Sequence, residues 1–286
     1  MTDEEGPALA RRLWALFESV HAVVYFHPTT LAALEAAGLR GFWRGYFAQR
    51  SAPLGPVGEA PVRASFFGFS ASMTARALPA VWGLASPAEV LAARLDGTGR
   101  ALAEVLPEGP HDRLADDLWA LASALPCDGR VLAAANQALP RPEDPLHRLW
   151  LAATILREHR GDGHVAALVA AGLTGVESLV LRAGSDLSRP VLQAARGWTD
   201  EEWTAAAEGL AARGLLRDDR TTSDAGKRLL ARVEETTDDL AWDGLARAGG
   251  TVDGVRRLAH DLRAPAVACH AVLPEVHPIG VLEIDG

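Results

Sequence analysis

Apolar positions recur along this chain at three- and four-residue spacing, which predicts helices in preference to strands. Ser86-Pro87-Ala88-Glu89 forms a capping box with proline at the first helical position, so a helix starts there. Thr199-Asp200-Glu201-Glu202 is a second box. It opens a helix to about Arg213 that Gly214 stops, with Trp203, Ala205, Ala206, Leu210 and Ala211 as its apolar stripe. A short helix over 189–196 precedes it. Leu215-Leu216-Arg217 reads as extended and Asp218-Asp219-Arg220 as a turn. A long helix follows from about Ser223, with Leu229, Leu230, Val233 and Leu240 on one side. Another long helix runs from about Asp144 to a turn at Glu158–His164, where Gly161 and Gly163 permit a tight reversal and Asp162 caps the next helix. Residues 57–70, with one proline, two glycines and a phenylalanine cluster, look least helical, and the segment from Pro265 to Gly286 has no helical period.

The chain also repeats itself. Arg12-Leu13-Trp14 recurs as Arg148-Leu149-Trp150, and Ala32-Ala33-Leu34 as Ala166-Ala167-Leu168. Ala36-Ala37-Gly38-Leu39 recurs as Ala170-Ala171-Gly172-Leu173, with Gly41 matching Gly175. Weaker matches follow: Met73-Thr74-Ala75 with Trp203-Thr204-Ala205, and Gly83-Leu84 with Gly214-Leu215. The order agrees throughout, and the spacing agrees after a two-residue slip before Ala32 and a further drift in the weaker matches, as two degenerate copies of one unit allow. The expected fold is mainly α: two winged-helix-like lobes from an internal duplication, joined by helices. The expected boundaries are 1–109 for an aromatic-rich first lobe, 110–143 for a helical connector, 144–264 for the second lobe and 265–286 for an irregular tail.

The order of elements from 189 onwards, with Ala211-Ala212-Arg213-Gly214-Leu215-Leu216 and then Thr222-Ser223-Asp224-Ala225-Gly226, resembles the end of a MarR-type winged-helix domain over roughly 150–245. Three segments carry a second resemblance: Leu156-Arg157-Glu158-His159-Arg160-Gly161-Asp162-Gly163-His164, Gly41-Phe42-Trp43-Arg44-Gly45-Tyr46-Phe47 and Ala52-Pro53-Leu54-Gly55. Through them most of the chain is similar to an actinobacterial helix-turn-helix family. The resemblance implies the fold and supplies no reaction. In a MarR-type domain the helix before the wing enters the major groove. Here that helix opens with three carboxylates, which suit the helix dipole and repel phosphate. Arg213, Arg217 and Arg220 are the basic residues left to meet DNA, and DNA ranks below a small molecule as partner.

Charge agrees with that ranking. The 286 residues carry 28 basic and 37 acidic side chains, a formal net charge of −9, and Lys227 is the only lysine. Such a field repels nucleic acid, although a local basic patch can override it. No apolar run approaches the ~18 residues a membrane span needs, and the N-terminal residues lack a signal-peptide layout, so a cytoplasmic protein with no membrane partner is expected. Two cysteines, Cys127 and Cys269, exclude a disulfide scaffold.

Candidate chemistry falls in two places. All seven phenylalanines and both tyrosines lie between Phe17 and Phe69. Trp43, Tyr46, Phe47, Phe66, Phe67 and Phe69 are either the core of the first lobe or the walls of a pocket for a flat apolar ligand. Glu158, His159, Asp162 and His164 crowd one segment beside Arg160, a candidate anion contact, and His21 and Tyr25 lie four apart in the matching part of the first copy. These six residues, Glu158, His159, Asp162, His164, His21 and Tyr25, are the acid–base candidates. No spacing defines a metal site, and metal or haem is compatible without being demanded. P-loop, dinucleotide and nucleophile-elbow motifs are absent. The reading is a small-molecule binding protein on a winged-helix scaffold that has lost DNA binding, with a pocket between the lobes, in keeping with secondary metabolism. An enzyme using the Glu158–His164 cluster and a ligand-responsive regulator are the alternatives. Homodimerisation stays open.

Overall fold

The computed structural model describes residues 5–185 and 187–275. These residues form fourteen α-helices, and among them the only β pairing is an isolated antiparallel bridge between Leu216 and Thr222. The brief extended segment and turn expected after residue 214 thus reduce to one bridge closing on Arg220, whose φ is +67°.

Two long helices, α1 (Glu5–Phe26) and α9 (Pro145–Ala170), lie side by side at the centre. Around them pack α6 (Pro87–Val105), α7 (Asp112–Ser123), α8 (Val131–Gln137), α13 (Asp224–Arg247) and α14 (Val252–His270). Leu13, Val20, Val23, Leu149, Trp150 and Ile155 build the core between α1 and α9, none more than 1% exposed. Two smaller cores flank this bundle. One comprises α3 (Phe42–Ser51), α4 (Glu59–Phe66), α5 (Ala71–Ala75) and the start of α6, and α2 (Pro28–Ala36) leads into it. The other comprises α10 (Gly175–Ala183), α11 (Arg189–Arg196), α12 (Asp200–Ala212) and the start of α13.

Local signals set many helix ends. Ser86 and Thr199 make the expected capping boxes, and Thr174 makes a third with Glu177. The repeated Ala-Ala-Gly-Leu segments end α2 and α9 in the same way. Gly38 (φ +90°) and Gly172 (φ +68°) are left-handed, and the amides of Leu39 and Leu173 bond the carbonyls of Leu34 and Leu168, each at 3.0 Å. This is the Schellman arrangement, in which glycine avoids the Cβ penalty and the following leucine turns back into the core.

Three expectations need correction. Glu158–His164 is no interhelical turn; it lies inside α9. Gly161 and Gly163 weaken a helix by ~1 kcal/mol each relative to alanine, but burial on nearly every side of α9 outweighs them. Gly163 serves packing: a Cβ there would sit 2.4 Å from Nη1 of Arg130. Residues 59–66, expected to be irregular, form α4. The segment from Pro265 begins as helix, because α14 runs through that proline to His270 and buries Pro265, Ala266 and Cys269. Residues 276–286 of the expected tail lie outside the described residues.

The turn after α4 docks on the turn after α11. Trp198 donates its indole N–H to Gly68 O (2.9 Å), the Ser70 amide bonds Arg196 O (3.0 Å) and the Ser70 hydroxyl bonds Gly197 O (2.7 Å). Gly175 sits so close to the same strip that a Cβ would fall 2.1 Å from Phe67 O. Backbone cannot yield as a flexible side chain can. Gly175→Ala is therefore expected to destabilise the protein by about 1–3 kcal/mol, read as a lower urea midpoint. An unchanged midpoint would mean that the two flanking units do not touch here.

Candidate functional site

A cavity of about 620 Å³ opens between the two flanking units, at the point where both meet α1 and α9. Its aromatic wall comes from α1, α3 and the 66–69 turn: Tyr25, Phe26, Phe42, Trp43, Tyr46, Phe66, Phe67 and Phe69. These rings pack mostly edge to face or tilted. Phe42–Trp43 centroids are 5.0 Å apart, Tyr25–Tyr46 5.0 Å and Trp43–Phe69 6.0 Å. The opposite wall comes from α9, α10 and α13, with Arg160, Gly161, His164, Leu168, Leu179 and Glu234.

Arginines give the cavity its electrostatics. Arg50 donates twice to Glu158, at 2.9 and 3.0 Å, and Arg157 donates to the same carboxylate at 2.9 Å. Burial alone would raise the Glu158 carboxyl, but Arg157 and Arg50 more than offset it and hold it well below the usual range. Arg157 also pairs with Glu18 (3.4 Å), which accepts the Trp14 indole N–H at 3.1 Å. Across the cavity, Arg160 pairs with Asp238 (2.8 Å) and Glu234 (3.2 Å), and Arg11 pairs with both as well. Three guanidinium groups lie over rings: Arg50 over Phe66 (4.0 Å), Arg160 over Trp14 (4.2 Å) and Arg196 over Phe69 (4.4 Å).

The candidate acid–base residues divide. Glu158 stands behind the wall as the partner of Arg50 and Arg157. His159 points away from the cavity, against Gly244, with Nε2 3.1 Å from Pro126 O. Asp162 also faces elsewhere. It accepts the amides of Leu132 and Ala133 (2.9 and 3.0 Å), so it caps α8 and not the helix that follows it in sequence. Only His164 of that cluster lines the cavity, beside Arg160. The cause is helical geometry: 157, 160, 161, 164 and 168 share one face of α9, while 158, 159 and 162 lie on others.

Two histidines share one tether. Thr154 donates its hydroxyl to Trp150 O (2.9 Å), so its oxygen accepts from Nδ1 of His21 (2.9 Å). Nε2 of His21 then accepts from the Tyr25 hydroxyl at 3.0 Å. Thr237 likewise donates to Val233 O and accepts from Nδ1 of His164 at 3.0 Å. Burial lowers His21, and it lowers both His159 and His164 to about 4. All three are neutral at neutral pH. Burial raises Tyr25, and neighbouring Tyr46 adds to that, so Tyr25 is a poor acid. Tyr46 behaves oppositely. Burial would raise it, but Arg50, Arg196 and Arg157 bring it below its ordinary value, and Arg50 donates to its hydroxyl at 3.2 Å. The more acidic phenol of the cavity is therefore Tyr46, a residue the sequence suggested only as a ligand contact.

Of the proposed aromatic contacts, Trp43, Tyr46, Phe66, Phe67 and Phe69 line the cavity. Phe47 does not; it is fully buried in the core behind Phe66 and Phe69. Arg11, Arg50, Arg157 and Arg196 went unnoticed in the sequence. The signal for two of them was present: Arg11, Trp14, Glu18 and Tyr25 share a face of α1, and Arg157 precedes Arg160 and His164 at helical spacing. Among the described residues no group of three or more His, Cys, Asp or Glu side chains gathers as a metal site.

The candidate DNA contacts lie on the exposed side of the second flanking unit. Arg213 pairs with Glu177 (3.1 Å) and Arg217 with Asp224 (2.9 Å), while Arg220 is exposed in the turn. Asp200, Glu201 and Glu202 form the first turn of α12, with Asp200 paired to Arg189.

An all-helical bundle that carries α11, a glycine turn and α12 in this order defines the class of protein. Residues 10–274 match a helix-turn-helix family, and the chain belongs to it. No curated protein and no solved structure matches the chain. Among the described residues no single helix is long and apolar enough to cross a membrane.

Two outcomes follow from these electrostatics. Glu158→Gln leaves Arg50 and Arg157 buried without their shared counter-charge, so a loss of about 3–5 kcal/mol in unfolding free energy is expected. A loss under about 1 kcal/mol would show that water reaches this pair. Stability should also fall as pH drops from about 6.5 to about 4, because the unfolded chain protonates its histidines before the folded protein protonates His21, His159 and His164. Asp162, pushed up to about 6 mainly by burial, binds its proton more readily when folded and offsets part of that loss. Urea midpoints at about pH 7 and about pH 4.5 measure the net slope. His159→Gln should flatten it.

Proposed function

We propose that this protein binds a small organic molecule in the cavity between its two flanking units, on a helix-turn-helix scaffold that no longer grips DNA. One observation carries the reading: both units, together with α1 and α9, wall a single cavity of about 620 Å³, a size ordinary for small-molecule sites. Its aromatic lining suits a flat ligand. The reading includes an internal duplication. It pairs α1–α2 with α9, α3 with α10, α4 with α11, α5 with α12 and α6 with α13. The shared Schellman ends at Gly38 and Gly172 support that pairing, as do the two turns at 67–70 and 196–199 that dock on each other. On this view the two winged-helix-like lobes of one chain hold a ligand between them as two subunits would.

The case against DNA rests on α12. Its first turn is acidic, and the turn before it is occupied by Gly68 and Ser70 of the other lobe. Arg213 and Arg217 are spent on ion pairs. Family membership keeps a transcriptional regulator as the second reading.

Native mass spectrometry of freshly purified protein, set against the denatured mass, tests the pocket. A bound mass that is lost on denaturation is expected, and Trp43→Ala should lose it with helical circular dichroism unchanged. A clean apo mass would reduce the aromatic wall to core packing. The protein should not shift DNA from its own promoter region at low salt. A shift abolished by Arg217→Glu and Arg220→Glu would establish the regulator instead.

A further inference from the structure

The cavity is rich in cations: Arg11, Arg50, Arg157, Arg160, Arg182 and Arg196 all line it. Arg50 and Arg157 share Glu158 and Glu18, while Arg11 and Arg160 share Asp238 and Glu234. Those four guanidinium groups meet four carboxylates. Arg196 lines the same cavity, and among the described residues no carboxylate is within ion-pair distance of it. Its strongest electrostatic neighbours are three like charges, Arg50, Arg182 and Arg157, and the Tyr46 phenol, which favours its cationic form. Burial and those arginines disfavour its cationic form. The guanidinium carbon lies 4.4 Å from the centre of the Phe69 ring, and a guanidinium held over a ring can still present N–H groups to a ligand. A protein with net charge −9 has thus placed a half-buried arginine beside its aromatic wall, with no carboxylate at ion-pair distance among the described residues.

We propose that the ligand is a planar aromatic monoanion of the aryl carboxylate class, with its carboxylate on Arg196 and its ring against Trp43 and Phe69. This inference rests on the pocket reading above and adds the ligand's charge and shape. A guanidinium edge matches a carboxylate in two parallel hydrogen bonds. Trp43 and Phe69, 6.0 Å apart at 77°, offer an edge and a face to a third ring.

Isothermal titration calorimetry on the full chain with 2-naphthoate and its neutral isostere 2-naphthamide tests this. Wild-type protein should bind the naphthoate about 10- to 100-fold more tightly, the range for a hydrogen bond to a charged partner. Arg196→Gln should remove that preference while leaving naphthamide binding intact, which also reports that the variant is folded. Arg196→Lys keeps the charge without the fork and should retain part of the preference. Equal affinity of wild type for both probes would overturn the anionic class and leave the pocket standing. Binding of neither probe would overturn the pocket as well. A preference that survives in Arg196→Gln would remove Arg196 from the site.

Discussion

A single buried carboxylate ties the molecule together. Glu158 is 1% exposed and takes three hydrogen bonds, two from Arg50 of α3 and one from Arg157 of α9. Arg157 then reaches Glu18 of α1. Three helices that are distant in sequence are thereby held at one point, at the back of the cavity. A charge removed from water is costly, and it is tolerated only where partners and geometry are complete. Once Glu158 is satisfied, Arg50 is fixed. Arg50 in turn lies over Phe66 and donates to Tyr46, so the aromatic wall inherits its position from a buried ion pair. The low acidity of Tyr25 and the enhanced acidity of Tyr46 have different origins: burial dominates at Tyr25, whereas the arginines outweigh burial at Tyr46. One phenol is spent on neutral His21, while the other faces the arginines.

Much of the scaffold was legible because it is written in short-range chemistry. Ser86 and Thr199 announce helix starts through side chains that reach only three residues. The 189–196 helix, Gly214 as a stop and the long helix after Ser223 follow from similar local rules. The concentration of phenylalanine and tyrosine before residue 70 also pointed to residues that line the cavity. The segment 158–164 shows where local rules fail. Gly-Asp-Gly reads as a break, yet α9 continues because packing from α1, α7, α8 and α13 exceeds two glycine penalties. That one misreading redistributed the site. Residues adjacent in a turn would face one place, whereas residues adjacent in a helix point about 100° apart. His159 and Asp162 left the site for that reason, and Arg157 entered it. Arg196 had no local signal at all. Its position depends on where the end of α11 meets Phe69, a contact 127 residues away in sequence.

The helix-turn-helix elements and the cavity impose different demands on the same surface. A DNA reader needs its turn and the first residues of its second helix free to approach a groove. In this chain Trp198 and Gly197, the residues of that turn, are bonded to Gly68 and Ser70, and the strip that holds them, 67–69, is also a wall of the cavity. The contacts that close the cavity therefore consume the turn. Dipole physics leads to the same place: carboxylates in the first turn of α12 stabilise that helix and oppose phosphate. Stability of the helix, closure of the cavity and repulsion of a nucleic-acid backbone all act in one direction. Most arginines of this acidic chain stay exposed, but Arg50 of α3, Arg157 and Arg160 of α9 and Arg196 at the end of α11 turn towards the cavity.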